Sequence, residues 1–219
     1  TNASAAKALR IAAAAAALVG ATPDPHWTKI AAGLHIPFSE AGQHHLDFDP
    51  SVPRTSDDHD FAFLAFPSLD LPMNENVRRN DYRAAAAPLK QPGETLTSMG
   101  LAPLTIAAAT LGNTTDTARW LKDNISNDML KTPFNVRTET PHNNTGYFLT
   151  GSAGFVQSLV YGLTGLRIED AGLVQAYPPV LPDGWKSLAL TNVTFRGRHY
   201  DITVGRDASG KPRLHREPR

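Results

Sequence analysis

Near residue 165 the hydrophobic pattern of this chain changes period, and that change limits the fold more than any other feature. Before it, apolar residues recur at helical spacing between Gly and Pro breaks; after it, they alternate with polar ones. Such a chain predicts helices followed by an antiparallel sheet, so the expected fold class is mainly α with a small β tail. With 219 residues it is long enough to bury a real core.

Taken in order, Ala3 to Val19 consists almost wholly of strong helix formers, and its small side chains predict close packing between other helices. Thr22-Pro23-Asp24-Pro25 breaks the chain, and His26 to Leu34 gives a second helix and so a helical hairpin. Ile36 to Arg54 reads as a loop, in which His44, His45, Asp47 and Asp49 are read as solvated residues, without the spacing of a zinc site. Asp57 to Pro67 passes from acidic to apolar, Ser68 to Met73 is a turn, and Glu75 to Ala87 is a helix. Arg78 and Asp81 on that helix are expected in structural ion pairs. Leu96 to Leu111 predicts an apolar helix interrupted at Gly100 and Pro103, and Thr115 to Asn124 an amphipathic partner. Gly151 to Leu163 reads as a buried helix. Gly172 to Tyr177, Ser187 to Phe195 and His199 to Gly205 alternate as strands, with Arg196-Gly197-Arg198 as a hairpin turn, and Asp207 to Arg219 is expected to fray.

Lysine plus arginine total 21 and aspartate plus glutamate 21, so no net field exists to attract nucleic acid or an anionic membrane. Without cysteine there are no disulfides and no thiolate metal sites. The apolar run Ile11 to Val19 is too short to span a bilayer. Five Asn-x-Ser/Thr sequons, at Asn2, Asn113, Asn124, Asn143 and Asn192, suggest a secreted or otherwise extracytoplasmic glycoprotein.

The chemistry-bearing stretch is Pro133 to Gly154. It sets Glu139 in a polar loop between an apolar approach, Phe134 and Val136, and a Gly-rich helix opening. Catalytic carboxylates are often carried on loops held by a rigid scaffold, although most loop glutamates are solvated charges. His142 and Asn144 neighbour Glu139 and are candidates to orient water or sugar hydroxyls, with exposed loop polarity as the alternative. Thr150 and Gly151 open the following helix and are expected to cap it; its N–H groups are also a candidate support for Glu139 as an anion.

Four ordered motifs carry a resemblance: PMNENVRRND (Pro72 to Asp81), PFNVRTET (Pro133 to Thr140), FLTGSAGFVQSLVYGLTGLR (Phe148 to Arg167) and LPDGWKSLALTNVTFRGRHYDITV (Leu181 to Val204). Together they resemble the C-terminal half of glycoside hydrolase family 65, which holds acid trehalases, kojibiose hydrolases, protein-glucosylgalactosylhydroxylysine glucosidases and α-glucoside phosphorylases. The resemblance implies that residues 1–165 are the last helices of an (α/α)6 catalytic barrel and residues 166–219 a C-terminal β-sheet domain. It further implies inverting cleavage of α-glucosidic bonds, with an acid and a base carboxylate about 6.5–9.5 Å apart. Glu139, in RTET, matches the hydrolase base. Tyr147 to Ser152 does not resemble the phosphate-holding segment of the phosphorylases, so hydrolysis is favoured over phosphorolysis.

The departures are as informative. The family's general acid lies shortly before a Tyr-Thr-Asn segment, and Thr1-Asn2 matches the end of that segment, which places the acid outside this chain. A Lys-Gln pair that contacts glucose in relatives aligns with Asp57 and Asp58, and carboxylates cannot replace cationic donors; these two residues are the remaining candidate substrate contacts. Thr97-Ser98-Met99 stands where the family has Thr-Trp-Ser. The expected partners are an α-glucoside or other oligosaccharide and an N-terminal chain or segment completing the barrel, with no cofactor and no metal; a homodimer stays open. The competing readings are a non-catalytic carbohydrate-binding or assembly subunit and an α-glucoside phosphorylase.

Overall fold

The computed structural model describes residues 2–46, 48–49, 51, 69, 71, 73–87, 97–126, 128–142 and 146–219. The chain divides into two compact units, Thr1–Ala84 and Ala85–Arg219.

In the first unit, α1 (Asn2–Leu18) packs on α2 (Pro25–Gly33). Asp24 caps α2 by accepting from the His26 amide at 2.8 Å, and Pro25, which has no N–H to leave unpaired, occupies the first helical position. The segment expected as plain loop after α2 contains a short hairpin, β1 (Phe38–Ser39) with β2 (His44–His45). Its turn is closed by Gly42 N–H donating to Ser39 Oγ at 3.0 Å and by Gln43 at φ 50°. The hairpin escapes sequence reading because each strand is two residues long, too short for an alternation to register. Its anchor is α3 (Glu75–Ala86), whose Asp81 accepts from both the amide and the ring of His45. Arg79 on the same helix pairs with Glu75 one turn earlier. Asp57 to Pro67 and much of Ser68 to Met73 lie outside the described residues.

The second unit is built around α4 (Ser98–Thr110), ten of whose thirteen residues are buried. The helix runs unbroken through Gly100 and Pro103, where an interruption was expected: burial on all sides holds it against the local breakers. Asn113 caps α5 (Thr114–Asn124), which turns Thr117, Trp120, Leu121 and Asn124 towards α4 at helical spacing. On another side lies α6 (Leu149–Gln157), continuing as a π-helical segment over Ser158–Leu163. A Cβ built on Gly154 falls 2.7 Å from the Ala102 Cβ, so only glycine permits this approach of α6 to α4.

Between α5 and α6 lies a two-residue-per-strand hairpin, β3 (Leu130–Lys131) with β4 (Val136–Arg137). After the helices come a hairpin of β5 (Leu166–Glu169) and β6 (Gly172–Gln175) and an antiparallel sheet in the order β7 (Ser187–Phe195), β8 (Arg198–Arg206), β9 (Pro212–Pro218). Arg196 at φ 47° and Gly197 at φ 73° form the two-residue link of β7 to β8, the left-handed pair that suits a right-twisted hairpin. The tail expected to fray is strand β9, in register with β8 from Arg206↔Pro212 to Tyr200↔Pro218. Its charges belong on an edge strand, where they face solvent and blunt edge-to-edge association. The architecture is thus a mixture of helices and antiparallel sheets.

Candidate active site

The β3–β4 hairpin delivers Glu139 to the site. Its turn, residues 132–135, reverses direction with Asn135 at φ 51° and leaves Phe134 81% exposed at the tip, so Phe134 is no part of a buried approach. Arg137, at the end of β4, is buried, and its guanidinium donates through Nη1 to both the backbone carbonyl and the Oδ1 of Asn124 at the end of α5. It also lies over the Phe155 ring, 5.1 Å from the centroid. Burial pushes the Arg137 guanidinium down from its ordinary value. An arginine still carries its charge under these conditions, which is why its donors must be satisfied.

The residues on either side of Glu139 are held by hydrogen bonds. Thr138 N–H donates to Met129 O at 3.0 Å, and Thr138 Oγ1 donates to Thr140 O at 2.8 Å. Lys131 Nζ donates to Pro141 O at 2.8 Å. Ser98 N–H, at the start of α4, donates to the carbonyl of Glu139 at 2.7 Å. Phe148 N–H donates to Arg137 O at 2.9 Å and so joins the start of α6 to β4. The Glu139 residue itself is half-buried, and among the described residues no hydrogen bond or ion pair engages its carboxylate. A carboxylate on a pinned backbone with its oxygens uncommitted is suited to accept a proton from water.

Of the other predicted site residues, His142 is exposed in the turn after Pro141, while Asn144, Asp57 and Asp58 lie outside the described residues. Phe148 is the N-cap residue of α6, no side chain caps that helix, and Thr150 sits exposed within its first turn; Thr150 is therefore not the cap. Among the described residues no three His, Asp or Glu side chains gather as a metal site, and His45 is committed to Asp81. Sequence reasoning missed Arg137 and Asn124. The available signal was an arginine within the quoted PFNVRTET motif, beside the candidate carboxylate. Asn124, a sequon residue, is fully buried against Arg137 and has no room for a glycan, whereas Asn2 and Asn192 are exposed.

Residues 170–209, spanning β6 to β8, match the profile described as glycosyl hydrolase family 65, C-terminal domain. The chain is 32% identical over 209 residues to protein-glucosylgalactosylhydroxylysine glucosidase of Danio rerio, an alignment covering 93% of this chain and 30% of that protein. It is 29% identical over 202 residues to kojibiose hydrolase of Mucilaginibacter mallensis, covering 88% of this chain and 28% of that one. The chain therefore spans under a third of the length of these curated relatives. A solved human-microbiome structure described as a kojibiose phosphorylase shares the fold with a TM-score of 0.57 at 14% identity, over 89% of this chain and 32% of that one.

Proposed function

We propose, from the match to the glycosyl hydrolase family 65 C-terminal domain and the similarity to curated glucosidases, that the chain forms part of an inverting family 65 hydrolase of α-glucosidic bonds in which Glu139 activates the attacking water. The observation that carries this reading is the half-exposed Glu139 carboxylate, unengaged among the described residues, on a loop whose backbone is tied down on both sides. In an inverting reaction the base takes a proton from water as the water attacks the anomeric carbon. A second carboxyl on the opposite face protonates the leaving oxygen, and the two groups stand about 6.5–9.5 Å apart to admit that water. That acid belongs to a segment outside this chain, which also completes an (α/α)6 barrel with residues 1–165; residues 166–219 are the appended sheet domain. His142, Asn144, Asp57 and Asp58 are the proposed sugar contacts. The substrate class is a glucose α-linked to a second sugar or a glycosylated side chain, in keeping with relatives named for kojibiose and for glucosylgalactosylhydroxylysine. The extracytoplasmic location rests on the sequons, foremost the exposed Asn2 and Asn192.

The test is product formation by the complete protein on kojibiose, nigerose, maltose and trehalose, with and without inorganic phosphate, with the anomer of the product followed by NMR. Phosphate-independent release of β-glucose supports the reading, and Glu139→Gln should then lower turnover by at least about a hundredfold while leaving the unfolding temperature unchanged. Glucose 1-phosphate as the product decides for the phosphorylase, the second reading. Sugar binding without turnover by the complete protein decides for a non-catalytic subunit.

A further inference from the structure

The backbone under Glu139 is linked to a buried cation two residues away in sequence, and the link runs through the end of α5 and the start of α4. Arg137 donates to the carbonyl and Oδ1 of Asn124; Asn124 Nδ2 donates to Ser98 O at 3.5 Å; Ser98 N–H donates to Glu139 O at 2.7 Å. The chain from 137 to 139 closes the ring. Ser98 and Asn124 are fully buried and Arg137 is 6% exposed, so these bonds lie out of reach of competing water. A second contact fixes the ring from outside. Ser98 Oγ is buried with no hydrogen-bond partner among the described residues, and a Cβ built on Gly151 of α6 would lie 2.2 Å from it. The bare backbone of Gly151 is therefore what lets Ser98 stand where its amide meets Glu139.

We propose that Arg137, Asn124 and Ser98 form a positioning ring that sets the place of the Glu139 carboxylate, a role beyond holding the fold together and one that rests on the reading of Glu139 as the base. The carboxylate has no engaged partner of its own among the described residues, so its placement falls to the backbone. A general base works only within hydrogen-bond reach of its water, and a misplacement of about 1 Å can cost about a hundredfold in rate. Lysine in place of Arg137 keeps the charge but loses the rigid planar group whose Nη1 is held between the two Asn124 oxygens.

The experiment compares the complete enzyme with its Arg137→Lys, Gly151→Ala, Glu139→Gln and Arg137→Lys/Glu139→Gln variants, using kojibiose, nigerose, maltose and trehalose as probes at a temperature where each is folded. Arg137→Lys is expected to lower kcat by about tenfold to a hundredfold with KM changed by less than about twofold, a split that a merely structural role would not produce. Gly151→Ala, which presses on Ser98 from the other side, is expected to act in the same sense, and it decides alone if Arg137→Lys does not fold. In the Glu139→Gln background Arg137→Lys is expected to add less than about a further twofold, because the group it positions is gone. Wild-type kcat in both single variants, with only the unfolding temperature lowered, overturns the proposal, as does a full additional loss in the double variant. Wild-type turnover in Glu139→Gln alone is a different failure: it removes the base itself, and the positioning role with it.

Discussion

Asp81 holds His45 at two points, accepting from its backbone amide through Oδ1 at 2.7 Å and meeting its ring Nδ1 through Oδ2 at 2.8 Å. Both side chains are largely buried, and this pair docks the β1–β2 hairpin on α3 together with Asn80, whose Nδ2 donates to Gln43 O at 3.2 Å. Truncating Asp81 leaves a buried amide and a ring nitrogen without their acceptor, each costing about 1–3 kcal/mol. Asp81→Ala should therefore lower the unfolding free energy by about 2–6 kcal/mol in urea melts, with Asp81→Asn, which keeps one acceptor, falling in between. Equal stability of Asp81→Ala and wild type in those melts would show that the hairpin is held by something else.

The approach of α6 to α4 gives a second prediction. Gly154 has no side chain, and a Cβ there would stand 2.7 Å from the Ala102 Cβ, closer than two such atoms can pack. Gly154→Ala should cost about 1–3 kcal/mol despite the better helix propensity of alanine, since overpacking outweighs propensity. Ala102→Gly in the same chain should return much of the loss. Additive effects of the two substitutions in a double-mutant cycle would count against direct contact.

Gly165, where the π-helical segment gives way to β5, is constrained twice over. It has φ +72°, and a Cβ there would lie 2.1 Å from the Tyr177 carbonyl oxygen, a backbone atom that cannot swing aside. Its own carbonyl accepts from the amides of Ala176 and Tyr177, so the close approach is what closes the β5–β6 hairpin onto the helix end. Gly165→Ala should destabilise by more than about 2 kcal/mol, strain and clash together, and should do so more severely than Gly184→Ala, where φ is +83° but nothing lies within 4 Å. A smaller loss at 165 than at 184 in parallel thermal melts would refute the backbone contact.

What the sequence made legible follows from how much of each signal is local. The helices α1 to α3 and α5 carry their own periodicity, breakers and caps, and the Arg196-Gly197 turn carries its own left-handed chemistry, so all were readable to within a residue or two. Strand β9 was not, because Pro212 to Pro218 has a charged, uneven pattern that becomes a strand only through its partner β8. Pro103 misled for the same reason in reverse: a local breaker was overruled by burial around α4. At the candidate site, the proposed base Glu139 was picked out by its motif alone. The residues that hold it were not, since Asn124 and Ser98 reach Arg137 and Glu139 across 13 and 41 positions respectively, a closeness that no local spacing reports.

The β8–β9 turn should respond to acid. Asp207 Oδ1 accepts from Ser209 Oγ at 2.6 Å, Ser209 N–H at 2.9 Å and Lys211 N–H at 3.0 Å, while Oδ2 accepts from Arg213 Nε at 3.0 Å. The Ser209 hydroxyl and then the Arg213 guanidinium hold this carboxyl well below its ordinary range. Because the folded value lies below the unfolded one, the contribution is fully present above the unfolded value of about 3.9 and is lost as pH falls from there toward the folded value. Protonation turns a four-fold acceptor into a partial donor, and the turn that feeds β9 loosens first. Amide exchange at Gly210 and Lys211 should therefore quicken, relative to the core of β8, as pH is lowered through the acid range. Asp207→Asn should show that faster exchange already at neutral pH and respond far less to acid. Unchanged protection at Lys211 in Asp207→Asn would mean that the strand register alone, and not this carboxylate, holds the turn closed.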